Sequence, residues 1–145
     1  MVGILVVSHG GFAESLISAA QVIVGRLHRV KGISIRPKDR KEEVKDRIRK
    51  RIAEVNDGDG VVILTDVMGG TPTSLSLSFL GEEKVEVVTG VNVPMLLTVS
   101  SYRKGKSLDE ISRLIKKSGR RSIILARGLL GSGRRIVFKK GDSNR

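Results

Sequence analysis

Gly3-Ile4-Leu5-Val6-Val7-Ser8-His9-Gly10-Gly11 decides how the rest of the chain is read. Five residues without a polar side chain, mostly β-branched or aliphatic, describe a strand buried on both faces. The polar and glycine residues that follow describe a turn. Working outward, Leu16, Ile17, Ala20, Ile23 and Val24 recur at helical spacing over Ala13 to Val24, with Gly25 as the stop. Val61-Val62-Ile63-Leu64-Thr65 repeats the buried-strand pattern and runs into Asp66-Val67-Met68-Gly69-Gly70. Val85 to Thr89 is a third strong strand, and Ile33 to Arg36 a short, weaker one. Between them, Lys38 to Val55 places Val44, Ile48, Ile52 and Val55 on one stripe of an otherwise charged helix.

The alternation continues to the C-terminal side. Thr71-Pro72 reads as an N-cap with proline at the first helical position, opening a helix to about Leu80. Gly90-Val91-Asn92-Val93-Pro94 turns into a helix from Met95 to about Tyr102. Ser107-Leu108-Asp109-Glu110 is a capping box for a helix to Lys117, stopped by Gly119. Ser122 to Ala126 reads as a last strand. Strands alternating with helices predict a doubly wound α/β domain with a mainly parallel sheet and helices on both faces. The expected division is a domain over residues 1–127 and a basic tail over 128–145 with one short apolar run at Ile136-Val137-Phe138.

Composition narrows the chemistry. The chain has 145 residues and no cysteine, which excludes disulfides, thiolate metal sites and cysteine nucleophiles. Its 2 histidines are too few for a histidine-rich metal site, and 3% aromatics leave no stacking platform for single-stranded nucleic acid. Apolar runs fall short of the roughly 20 residues a membrane span needs, and no basic segment leads into a long apolar stretch as in a signal peptide. A soluble, cytoplasmic chain with no membrane insertion is the expectation. The net charge is +12. It is concentrated in residues 26–51, at +8, and residues 120–145, at +7. Such blocks favour anionic partners. They support a charge-based alternative, a non-catalytic module that binds nucleic acid or an acidic protein, although no zinc finger, basic heptad region or aromatic-lined sheet accompanies them.

Sites in open parallel sheets form beyond the carboxyl ends of the strands. Three turns of this chain fall there: Ser8–Gly11, Asp66–Thr71 and Gly90–Pro94. The first supplies His9, whose neutral imidazole is a good nucleophile near pH 7. The second supplies Asp66, a carboxylate able to hold one ring N–H and leave the other nitrogen free if the first and third strands are neighbours. Gly69 and Gly70 permit close backbone approach, the Thr71 hydroxyl adds a donor, and the helix opening there offers free N–H groups to a phosphoryl group. Such transfer rests on positioning and charge stabilisation and requires neither metal nor cofactor. His28, among Arg26, Arg29 and Lys31, reads as a solvated surface residue.

Together these motifs resemble the mannose-family IIA component of the bacterial phosphoenolpyruvate-dependent sugar phosphotransferase system. Gly3 to Gly10 with Ala13-Glu14-Ser15-Leu16 is similar to that family's opening, and Asp66 to Pro72 and Gly90 to Leu96 to its second and third motifs. Gly119-Arg120 is similar to its closing segment. The likeness covers about residues 1–127 and departs at Met68, where some members carry tryptophan. It implies that His9 accepts a phosphoryl group from the phosphocarrier protein HPr and passes it to a IIB component, with Asp66 orienting the ring and Thr71 helping to hold the phosphate. It implies a homodimer that exchanges an additional antiparallel edge strand, here Ser122–Ala126, and a free-standing IIA protein. Since HPr usually presents a basic face, it further implies that the basic blocks lie away from the crevice or that the partner differs. A close alternative is the phosphocarrier subunit of dihydroxyacetone kinase, ranked lower because the Gly-Gly-Thr-Pro and Gly-Val-Asn-Val-Pro turns are of the mannose type.

Overall fold

The computed structural model describes residues 1–82 and 84–131. Its elements run β1 (Gly3–His9), α1 (Phe12–Val24), β2 (Val30–Ile35), α2 (Lys41–Val55), β3 (Val61–Thr65), α3 (Gly70–Leu77), β4 (Val85–Thr89), α4 (Val93–Tyr102), α5 (Leu108–Arg121) and α6 (Ala126–Gly131). The sheet has the order β2-β1-β3-β4, and the strands pair in parallel. Alternate residues of β1 and β3 face opposite sides, as the pleat requires. Ile4, Val6, Val62 and Leu64 meet Leu16, Ala20, Leu96, Val99, Ile111 and Ile115 from α1, α4 and α5. Leu5, Val7 and Ile63 meet Val44, Ile48 and Ile52 of α2 and the fully buried Phe79 on the other side. With helices on both faces, the unbroken aliphatic runs of β1 and β3 are explained.

Local chemistry sets the boundaries. α2 begins at Lys41 rather than Lys38, because Pro37 and Asp39 form a turn in which the Asp39 carboxylate accepts the Arg36 N–H at 2.8 Å. α3 begins one residue before the expected cap: Gly69, at φ +94°, precedes it, and Thr71 lies inside its first turn. It ends at Leu77, after which tighter bonds such as Phe79 N–H to Ser76 O at 3.0 Å carry Phe79 into the core. α4 starts two residues earlier than expected, at Val93, because Asn92 accepts the Met95 N–H at 3.1 Å. Ser107 accepts the Glu110 N–H at 3.2 Å, as the capping box requires.

Two further expectations are corrected. α5 runs through Gly119 to Arg121, and the glycine serves close packing instead of termination: a Cβ there would lie 2.8 Å from Met95 Sδ. Within the single chain, Ser122–Ala126 forms no strand. Ser122 closes α5 with its hydroxyl on Gly119 O at 2.8 Å, residues 123–125 are irregular, and α6 begins at Ala126. The segment pairs with no strand among the described residues, and an unpaired strand has no independent stability; Ile123 is left 82% exposed. The basic tail expected over 128–145 lies outside the described residues from 132 onward, as does its apolar run at Ile136-Val137-Phe138.

Candidate functional site

β1 and β3 are adjacent, but the chain leaves them in opposite directions, β1 toward β2 and β3 toward β4. Their carboxyl ends therefore bound the crevice where doubly wound folds bind ligands. His9 is the last residue of β1 and Asp66 the first after β3. The strand register, with Val7 opposite Thr65, sets the two side by side.

Asp66 grips His9 twice. One carboxylate oxygen lies 2.8 Å from the imidazole Nδ1 and accepts the His9 backbone N–H at 2.9 Å. The other accepts the Val67 N–H at 2.9 Å. Partial burial is the largest single influence on Asp66 and opposes its ionisation. The His9 backbone N–H, the ring contact and the Val67 N–H together outweigh it and hold the carboxyl below the usual carboxylate range. An ionised Asp66 can only accept, so Nδ1 carries a proton, and in the neutral ring Nε2 is the nitrogen with the lone pair. The aspartate is 15% exposed and the imidazole 54%, so one partner anchors while the other remains reachable.

The free nitrogen faces the start of α3. A Cβ on Gly70 would stand 2.9 Å from Cε1 and 3.0 Å from Nε2, and the residue sits at φ +79°, a conformation glycine adopts without penalty. Gly69 has positive φ but open space around it. The first N–H groups of α3, which begins at Gly70, have no partner within the helix. Thr71 joins His9, Gly10, Ile35, Arg36, Pro37, Asp39 and Lys41 around a cleft of about 390 Å³. Arg36 and Lys41 belong to the first basic block, which therefore does not lie away from the crevice.

Of the three expected turns, the structure joins two. Gly90–Pro94 is committed to scaffolding: Val91 N–H bonds Thr65 O at 2.9 Å, and the Asn92 side chain serves α4 and donates to Gly119 O at 3.2 Å. His28 is exposed, as expected, and its carbonyl accepts a 2.6 Å bond from the buried Arg103.

Sequence reasoning gave no role to three supporting hydroxyls. Buried Ser8 accepts the Ala13 N–H at 2.7 Å and ties the His9 turn to α1. Buried Thr73 bonds Val67 O and the Thr65 hydroxyl, the latter at 2.9 Å, and so fixes the Asp66 turn. Ser8 and Thr65, hydroxyls that follow the aliphatic runs of β1 and β3, were the available signal; Thr73, inside α3, offered none. Among the described residues, no three His, Asp or Glu side chains gather as a metal site requires, and no helix is long and apolar enough to cross a membrane.

Comparison with known proteins bears on this geometry. The family described as EIIA-man, PTS system fructose IIA component, matches residues 3–116. The PTS system mannose-specific EIIAB component of Escherichia coli K12 is 30% identical over 124 residues, 84% of this chain and 38% of that protein. The chain thus spans about two fifths of the length of the curated relatives it resembles in this way. The PTS system sorbose-specific EIIA component of Lacticaseibacillus casei is 30% identical over 115 residues, 78% of this chain and 83% of that one. The crystal structure of the PTS IIA protein associated with the fucose utilization operon of Streptococcus pneumoniae aligns with a TM-score of 0.75 and 32% identity, covering 90% of this chain and 99% of that one.

Proposed function

The chain belongs to the EIIA-man family of phosphotransferase-system IIA components, and on that premise we propose that it is a cytoplasmic phosphoryl carrier whose reactive atom is Nε2 of His9. The Nε2 lone pair attacks the phosphorus carried by phospho-HPr. The bond to the donor nitrogen breaks and its electron pair returns to the donor. The ring becomes cationic, and Asp66 stabilises that charge through Nδ1–H. The Gly69 and Gly70 backbone, the start of α3 and the Thr71 hydroxyl receive the phosphoryl oxygens. In-line attack by a IIB component on the opposite side regenerates His9 and serves sugar uptake or its regulation.

The observation that carries this reading is the 2.8 Å contact between Nδ1 and Asp66, which turns the other ring nitrogen, Nε2, toward Gly70 and makes it the free one in the neutral imidazole. Incubation with phosphoenolpyruvate, enzyme I and HPr at neutral to alkaline pH, followed by intact-mass measurement, tests it. The expected result is a gain of one phosphoryl group that is absent in His9→Ala. Equal gain in both proteins, or none with the upstream proteins verified active, contradicts it.

The proposal extends to a homodimer in which Ser122–Ala126 of one copy pairs with β4 of the other. The outer edge of β4 pairs with no strand among the described residues, and the exposed apolar side chains of Ile123 and Leu125 support the same arrangement. Sedimentation should return twice the 15.7 kDa chain mass. A monomer at micromolar concentration would contradict it.

A further inference from the structure

The cations of the first basic block are not equivalent. Along α2 and at its cap the arginines are matched by carboxylates: Arg40 with Glu43 at 3.5 Å, Arg47 with Asp39 at 3.6 Å, Arg49 with Asp46 at 3.1 Å and Arg51 with Glu54 at 2.7 Å. Arg36 and Lys41 form no ion pair among the described residues; the same holds for Lys38, Lys45 and Lys50, and what sets the two apart is that they line the His9 cleft. The cleft's carboxylate, Asp39, is engaged by the Arg36 backbone N–H and by Arg47. Two unmatched positive charges therefore flank a cleft that His9 and Thr71 also wall. Its volume of about 390 Å³ exceeds what a phosphoryl group fills.

We infer that this cleft is an anion site for the phosphorylated state, in which Arg36 and Lys41 take up the charge of the phosphoryl group on His9 and prolong its life. The inference rests on the carrier reading above and adds two residues and a consequence to it. Hydrolysis breaks the Nε2–P bond as water oxygen bonds to phosphorus. The electron pair returns to the ring, and inorganic phosphate leaves. The transition state of such a transfer is loose, and the departing group carries less negative charge on its oxygens than the bound dianion does. Cations beside those oxygens therefore favour the bound state over the transition state.

Potassium phosphoramidate tests this without any protein partner. Nε2 attacks its phosphorus, and the electron pair of the broken P–N bond leaves on ammonia. Wild type, His9→Ala, the double variant R36Q/K41Q and a control, K50Q on the exposed face of α2, would be loaded and freed of donor. Loss of the group would then be followed by intact mass, with circular dichroism confirming that each variant is folded. The expected result is a His9-dependent gain that decays roughly fivefold faster in R36Q/K41Q than in wild type or K50Q, the combined effect of two partly exposed charge contacts. High salt should narrow the gap. His9-dependent loading with equal lifetimes overturns the inference and leaves the carrier reading standing. Equal lifetimes with slowed transfer from a protein donor also overturn it, assigning the pair to partner docking. Absence of His9-dependent loading overturns both.

Discussion

β3 and β4 are neighbours with similar sequences, Val61-Val62-Ile63-Leu64-Thr65 beside Val85-Glu86-Val87-Val88-Thr89, yet every residue of the first is buried and every residue of the second is half-buried. The difference comes from place in the sheet: β3 has strands on both sides and β4 on one. Polar groups follow the same division. The Thr65 hydroxyl bonds Thr73 at 2.9 Å, whereas the buried Thr89 hydroxyl has no partner among the described residues. The residue after β3 is Asp66 and the residue after β4 is Gly90. His9 and Asp66 thus stand at the ends of the two inner strands, β1 and β3, while β4 forms an edge of the sheet among the described residues.

The largest expected effect comes from making the same change on both strands. Val61 and Val85 face each other across the ladder, one fully buried and one half-exposed. Val61→Ala should cost about 2–3 kcal/mol, from two lost methyl groups and the cavity they leave. Val85→Ala should cost about half of that or less. Urea unfolding of both variants at low protein concentration measures the contrast. Equal costs would break it and mean that β4 is covered on its outer side, which the proposed dimer would do at higher concentration.

A second pair separates support of the site from support of the fold. Gly69 and Gly70 follow β3 with φ of +94° and +79°, so alanine at either should destabilise the protein by about 1–2 kcal/mol through backbone strain. Only at Gly70 does the new Cβ meet the imidazole, at 2.9–3.0 Å. Gly70→Ala should therefore slow phosphoryl loading of His9 by about tenfold or more, and Gly69→Ala by clearly less, because small misplacements of reacting atoms are costly. Single-turnover loading followed by mass measures both. Equal slowing would mean that the loop as a whole, and not contact with the ring, governs reactivity.

How much of this was legible in the sequence depended on whether a feature was local. The aliphatic runs of β1 and β3 announce themselves because both faces are buried and no alternation interrupts them. β2 was read short because Lys31 and Gly32 interrupt it on an outer strand. His9 and Asp66 could each be picked out, since both close buried strands, but their 2.8 Å contact depends on the β2-β1-β3-β4 order. Arg36 and Lys41 stood out only as members of the basic block over residues 26–51. They come to line the His9 cleft because the β1–β2 register sets His9 opposite Ile35, one residue before Arg36. Ser122–Ala126 shows the opposite failure: its apolar residues resemble a strand, but a strand needs an edge, and that is a property of the assembly.

The smallest expected effect tests whether the two strand ends differ in acid. Asp66 is held below the usual carboxylate range, chiefly against the opposition of partial burial, by bonds from His9 and Val67. A carboxyl depressed in the folded state contributes stability that is fully present above its unfolded value, about 4, and is lost as pH falls through the folded one. The stability difference between wild type and Asp66→Asn should therefore be constant above about pH 5 and shrink below about pH 4. Val85→Ala, on the strand followed by an uncharged glycine, should show no such narrowing relative to wild type over the same range. Urea unfolding from pH 6 to pH 3 distinguishes them. A D66N difference that stayed flat to pH 3 would mean that the contacts around Asp66 stabilise its neutral form as well as its charged one, and the anchoring of His9 would then rest on geometry without charge.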